Sequence, residues 1–279
     1  MMMRINDLRF GTAGIPECTK GNTFDGIKDV RKLGLGAMEL EFVRSLYIKK
    51  EKAPDIKNVA QKNDVILTAH ASYFINLNAV EEKKIAMSKQ YITSSARVLA
   101  FAGGYSCCFH AGYYLKMDKD EVYKNIKKRI GYIVQTLQDE GIKIWVRPEL
   151  TGKATQWGDL PELLQLSSEL DMVLPCFDFA HYHARHLGKH NTYDEFVHAL
   201  KEVEKYLGKE GLQNMHIHIA GINYGDKGER NHLNLNDSDM NYEDLVKAWK
   251  DYNIKGVVIC ESPNIEQDAL LLKNTYDKM

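Results

Sequence analysis

The chain is 279 residues long, 44% apolar and 27% charged, with a net charge of −1. That length allows one large barrel or two smaller domains, the absence of any run of eighteen apolar residues argues against a membrane-spanning helix, and near neutrality argues against avid nonspecific nucleic-acid binding, though not against a local cationic site. Five cysteines, of which only Cys107 and Cys108 are adjacent, form no CxxC pair or disulfide framework, and the start MMMRINDLRF lacks the apolar segment and cleavage site of a secretory leader, so a cytoplasmic protein is expected.

Taken in chain order, eight β-rich runs stand out: LRFGTAG (8–14), AMELEFV (37–43), VILTAHA (65–71), SCCFHAG (106–112), KIWVRPEL (143–150), MVLPCFDFAH (172–181), MHIHIAG (215–221) and GVVICES (256–262). Polar segments with helical apolar spacing separate them, such as TFDGIKDVRKLG after the first and DEVYKNIKKRIGYIVQTLQDEG after the fourth, and NIEQDALLLKNTY closes the chain. Strands alternating with helices imply parallel pairing through right-handed crossovers. Eight such units in about 250 residues is the usual size of a (β/α)8 TIM barrel with its active site at the C-terminal ends of the strands. A doubly wound open sheet is the alternative, but no GxGxxG follows the first strand and no GxxxxGK[ST] occurs anywhere. No Pro/Gly/Ser-rich linker interrupts the pattern, so one TIM-barrel domain over residues 1–279 is expected.

The last residues of these runs supply an ordered set of polar side chains. Glu39 and Glu41 end the second run, His70 the third, His110 the fourth and Glu149 the fifth; Asp178 and His181 end the sixth, His216 and His218 the seventh, and Glu261 the eighth. Any one histidine in such a place is more often a structural residue than a ligand. Carboxylates gathered at one end of an apolar barrel are different, because desolvated like charges repel and raise each other's pKa unless something compensates them. Divalent cations do so, and mixed imidazole and carboxylate donors suit zinc or manganese better than magnesium or calcium. One metal needs three or four protein donors, so this larger set points to a cluster with a bridging carboxylate.

Six segments, in order and at strand ends, carry a resemblance. AHASYFINL (69–77), CFHAG (108–112), PELTG (148–152), FDFAH (177–181), GERNHL (228–233) and CESPN (260–264) resemble the HxSYLINL, FHPG, ENTAG, DTCH, DRH and ETPN segments of the endonuclease IV family of AP endonucleases (AP endonuclease family 2), with this chain as a divergent, archaeal-type member of the xylose-isomerase-like TIM barrels. The resemblance implies a zinc-dependent hydrolase of DNA repair. It would hold up to three Zn2+, with Mn2+ as the alternative, and cleave double-stranded DNA on the 5′ side of an abasic site with a metal-bound hydroxide. Carried over position by position, His70, His110 and Glu149 would hold one metal. Glu149 would bridge to a second completed by Asp178, His218 and Glu261, and His181, Glu229 and His232 would hold a third. Glu149 and Glu261 are the expected catalytic carboxylates.

Two positions keep alternatives. ERNH is one residue longer than DRH, so Asn231 aligns with the family's histidine if no gap is allowed; His232 is preferred because asparagine is a poor zinc ligand. His216 and His218 share a strand face; His218 is preferred as nearer the strand's end, with His216 in a supporting or core role. At the rim, Tyr73 and Phe74 are expected to wedge or stack beside a lesion. Arg44, Lys153, Trp157, Arg185 and Arg230 are expected to reach phosphates or the displaced strand. His183 and His186 are expected in a loop or behind the ligands. The loop FVRSLYIKK after the second strand does not reproduce the family's DNA-contacting sequence. A sugar isomerase or epimerase of the same superfamily is the rival reading, since Glu149, Asp178, His218 and Glu261 would serve it equally; His70, His110, His181 and GERNHL favour the nuclease. A monomer is expected.

Overall fold

In the computed structural model, which describes residues 2–279, the apolar runs become eight parallel strands. They are β1 (Leu8–Ala13), β2 (Ala37–Glu41), β3 (Ile66–His70), β4 (Ser106–Phe109), β5 (Trp145–Pro148), β6 (Phe177–Asp178), β7 (Met215–Ile219) and β8 (Gly256–Cys260). The sheet runs β5-β4-β3-β2-β1-β8-β7-β6. Its two edges meet through parallel bridges from Val146 to Val173 and from Glu149 to Cys176, so the sheet closes on itself as a TIM barrel.

Among the described residues nine helices accompany it: α1 (Thr23–Lys32), α2 (Ala53–Lys62), α3 (Glu82–Phe101), α4 (Lys119–Asp139), α5 (Leu160–Glu169), α6 (Phe179–Arg185), α7 (Tyr193–Leu212), α8 (Tyr242–Asp251) and α9 (Glu266–Lys278). Helical apolar spacing accounts for their docking. In α4, Val122, Ile126, Ile130, Ile133, Val134 and Leu137 form one buried stripe. Capping boxes at Asp159/Glu162 and Thr192/Glu195 set the starts of α5 and α7, each side-chain cap being worth about 1 kcal/mol.

Strand alternation decides what enters the barrel. Met38 and Leu40, Cys107 and Phe109, and Ile217 and Ile219 join the apolar cluster under the helices. The intervening Glu39, Cys108, His216 and His218 meet one another inside the barrel. Deeper toward the N-terminal end the interior is apolar, built from Ile5, Ala37, Tyr105, Val257 and Ile259. Between the two zones, buried Arg147 donates to the carbonyls of Pro175 and Asn214 and to the Tyr105 hydroxyl.

The sixth run differs from its expected strand over 172–181. Only Phe177 and Asp178 pair regularly with β7, partly because Pro175 has no N–H to offer a ladder. From Phe179 the chain is helical: the Asp178 carboxylate accepts from the His181 backbone N–H at 2.7 Å and caps α6. His181 therefore sits in the first turn of a helix, and His183 lies on that helix with His186 as its C-cap, rather than in a loop.

Two small antiparallel pairings cover the mouth. One is the hairpin of Gly221–Gly225 with Gly228–Leu233, and the other joins Gly112–Tyr113 to Gln156–Trp157.

Candidate metal centre

Glu149 follows β5 and is only 1% exposed. Its Oε2 lies 3.0 Å from His70 Nε2 and 3.2 Å from His110 Nε2; its Oε1 lies 3.2 Å from His218 Nδ1 and 3.4 Å from His181 Nδ1. Four imidazoles, from the ends of β3, β4 and β7 and from α6, thus converge on one carboxylate. Glu261, after β8, approaches His218 Nδ1 at 3.4 Å. Glu149, Asp178, His218 and Glu261 each present a donor atom within 4.8 Å of the others, as do His110, Glu149 and His181, and also Asp178, His181 and His232.

Glu229 and His232 arrive on the hairpin. Glu229 Oε2 is 3.6 Å and His232 Nε2 3.4 Å from His181 Nε2. These two residues are three apart, so in a regular strand they would face opposite sides. The ladder slips between them: Glu229 pairs with Tyr224 and Asn231 with Asn223, leaving Arg230 as an extra bulged residue. That bulge absorbs the extra residue of ERNH and turns both side chains toward His181. Asn231 is exposed, with its amide engaged to Asn223 and to the His232 carbonyl.

Backbone carbonyls orient two of the rings. A carbonyl only accepts, so His70 Nδ1, 2.7 Å from the Ala71 oxygen, carries the proton and Nε2 turns to Glu149. His181 Nδ1 likewise donates to the Leu150 carbonyl at 3.0 Å, which aims Nε2 at the hairpin.

Behind His218 lies a supporting layer in which His216, expected in that role, is joined by Glu39 and Ser106, which the sequence displays without assigning such a role. Glu39 Oε1 is 2.9 Å from His218 Nε2, and Oε2 is 3.1 Å from His216 Nε2. His216 Nδ1 is in turn 2.8 Å from the Ser106 hydroxyl. Cys108 and Cys176 come within 4.8 Å of these two rings, but the Glu39 carboxylate occupies the space among His216, His218 and Cys108, whose Sγ is 3.5 Å from it. Strand alternation from Glu41 was the available signal for Glu39.

Burial alone would push the Glu149 carboxyl up, but His110 and His218, with hydrogen bonds from His110 and His181, hold it well below the usual range. Burial would lower His70, yet its bond to Glu149 and the surrounding carboxylates push it up to about 10; His181 and His218 are also held well above the ordinary imidazole value. Burial and the neighbouring Glu39 push Glu41 up to about 8. The Glu149 carboxylate is thus balanced by protons on the surrounding imidazoles, which a divalent cation would replace on binding. Glu41 Oε1 is buried without a hydrogen-bond partner among the described residues, and the buried Asp178 Oδ2 has His181 Nδ1 3.1 Å away. An unpartnered buried carboxylate oxygen beside mixed nitrogen and oxygen donors fits zinc or manganese.

At the rim, Tyr73 and Phe74 are 51% and 61% exposed, with ring centroids 4.5 Å apart. Arg44 is exposed beside a groove of about 470 Å³ lined by Leu46, Ser72 and Met87, Arg230 is exposed on its bulge, and Lys153 is half-buried. Two expected DNA contacts are corrected. Trp157 is fully buried. Arg185 is buried too, its Nη1 within 3.3 Å of the carbonyls of Thr151, Lys153 and Gln156 and of the Thr151 hydroxyl, so its guanidinium is engaged within the protein.

A closed parallel barrel with imidazoles and carboxylates gathered at its C-terminal mouth defines the class of protein. Residues 27–275 match the xylose isomerase-like TIM barrel family, and the chain belongs to it. It is 47% identical over 272 residues, 98% of each chain, to an uncharacterised protein of Methanocaldococcus jannaschii. It is 24% identical over 203 residues, 71% of this chain and 67% of the other, to a probable endonuclease 4 of Mycoplasma genitalium. Among solved structures, endonuclease IV from Thermus thermophilus superposes with a TM-score of 0.73 at 17% identity, covering 97% of this chain and 98% of that one. A D-tagatose 3-epimerase-like protein superposes at 0.68 and 19% identity, covering 96% of each. Among the described residues no helix is long and apolar enough to cross a membrane.

Proposed function

We propose that the protein is a metal-dependent phosphodiesterase of base-excision repair that cleaves double-stranded DNA 5′ to an abasic site. The observation that carries this reading is the hairpin that brings Glu229 and His232 to His181, adding a third group of donors to those around Glu149. His70, His110 and Glu149 would hold one zinc ion, with Glu149 reaching through its other oxygen to a second held by Asp178, His218 and Glu261. His181, Glu229 and His232 would hold the third, and manganese could replace zinc at each. Bound there, divalent cations lower the pKa of water and neutralise phosphate oxygens.

The chain's own residues do the rest. Glu149 and Glu261 fix the spacing of the donor groups, and Glu39 and the carbonyls of Ala71 and Leu150 hold the rings in place. Tyr73 wedges beside the lesion and Arg44 and Arg230 take phosphates, all three being exposed. The protein acts as a monomer.

A second reading is favoured by one observation. Glu149, Asp178, His218 and Glu261 alone make a four-donor site, enough for a one-metal sugar epimerase, the class to which several proteins of the same fold belong. It leaves His70, His110, His181 and the hairpin donors without a task. Zinc content and assays on an abasic-site duplex and on ketohexoses separate the two. About three zinc ions per chain and a nick 5′ to the lesion are expected; one metal, an epimerised ketose and an intact duplex would overturn the proposal. Glu149→Gln should abolish cleavage while duplex binding persists in gel-shift assays, and unimpaired cleavage would refute its bridging role.

A further inference from the structure

We infer that Arg185 is a positioning residue for the third metal group, acting through the loop 151–157; this rests on the reading of the centre given above. Arg185 lies one helical turn after His181 on α6, so one short helix carries both. His181 enters the mouth, while the Arg185 guanidinium turns beneath the neighbouring loop.

Its Nη1 is 3.3 Å from the Thr151 carbonyl, 3.0 Å from the Thr151 hydroxyl, 2.6 Å from the Lys153 carbonyl and 3.0 Å from the Gln156 carbonyl. Its Nε faces Asp159 at 3.6 Å, which caps α5 at the loop's far end. One buried cation therefore gathers three carbonyls of the loop, of which that of Lys153 also accepts from the Gln156 N–H at 2.9 Å.

That loop grips the hairpin. The Glu229 N–H donates to the Gly152 carbonyl at 2.9 Å. Gly228, at φ +88°, passes so close that a Cβ there would lie 2.3 Å from the Gly152 oxygen. Gly152 is itself pressed between the two ligand side chains: a Cβ on it would meet Glu229 Cβ at 2.6 Å and His181 Cδ2 at 3.1 Å. The separation of His181 from Glu229 is thus set by the backbone of Gly152, and the place of Gly152 by Arg185. The far end of the loop pairs with Gly112–Tyr113, just after His110, whereas His70, Asp178, His218 and Glu261 stand on other strand ends.

The test uses the full chain carrying Arg185→Lys, which keeps the charge but not the planar fork, and separately Gly152→Ala, which intrudes on the same spacing from the other side. Zinc stoichiometry and stepwise affinity are measured by titration, the thermal midpoint in EDTA, and hydrogen exchange over residues 226–233. Both variants are expected to weaken the third ion at least tenfold while two ions bind as in the parent and the metal-free chain still unfolds cooperatively at a somewhat lower midpoint, with faster exchange in 226–233. Retention of three ions at parental affinity overturns the inference, and so does joint loss of all ions with the fold, which would make Arg185 a general structural residue. If Arg185→Lys does not fold, Gly152→Ala decides, three ions at parental affinity again being the contrary result. If the parent itself binds fewer than three ions, the reading of the centre fails; the clamp is then judged by exchange alone, and parental exchange in Arg185→Lys refutes it.

Discussion

Glu149 sits within 3.4 Å of four imidazole nitrogens, and without a cation that carboxylate is balanced by protons on the rings. His70 is raised to about 10, with His181 and His218 also raised, so all three are protonated near pH 7 in the metal-free chain. Their contribution to its stability is complete below the unfolded imidazole value of about 6.5 and is lost as pH rises through the folded values. A divalent cation held by these rings would displace these protons. Calorimetric titrations near pH 7 in two buffers of different ionisation enthalpy should therefore show proton release, with affinity weakening as pH falls; no net release would contradict this account. Asp159 shows the opposite sign. Burial would raise it, but the bond to His186 and the charge of Arg185 pull it down to about 2. With the side chain 27% exposed, the shift is worth about 2 kcal/mol. That stability is present above the unfolded value of about 3.8 and lost as pH falls toward 2. Asp159→Asn should cost about 1–2 kcal/mol in urea unfolding at pH 7, with the gap to the parent narrowing below pH 4; a gap independent of pH would show that the charge is not its source.

At the scale of elements, the hairpin and α6 bring Glu229, His232 and His181 together beside the donors around Glu149. Parity governs the hairpin: with side chains alternating, the odd spacing of Glu229 and His232 requires one bulged residue for both to face His181. Deleting Arg230 should restore a regular ladder, turn one of the two outward and lower zinc content by one ion per chain. Arg230→Ala keeps the bulge and should leave the content unchanged. Equal content in the deletion and the parent would refute the role of the bulge. The spacing ERNH was visible in the sequence and made Asn231 and His232 rivals, but a bulge is a property of a pairing, and no partner strand is known before the chain folds. For the same reason FDFAH read as a strand running into a loop. Asp178 caps α6 only because the strand ends there against β7.

Across the whole molecule, the donors come from the ends of β3 to β8, from α6 and from the hairpin, so bound ions would tie most of the barrel's circumference together. A ligand that binds only the folded chain stabilises it by about 2.7 kcal/mol at a hundredfold excess over its Kd. Removing zinc with EDTA should therefore lower the thermal midpoint by about 5 °C or more, with recovery on adding zinc back; an unchanged midpoint would argue against tight binding to the folded form. By itself the sequence determined the eight strands, the barrel and the inward set at the strand ends, because periodicity in a strand or helix is local and each run declares its own buried face. Only the tertiary structure decided that His218 rather than His216 faces the mouth, that Glu39 stands behind it, and that Arg185 and Trp157 are buried instead of meeting DNA. Those outcomes depend on how far each strand reaches into the barrel and on which loop a long side chain finds, and both are set by contacts between residues far apart in the chain.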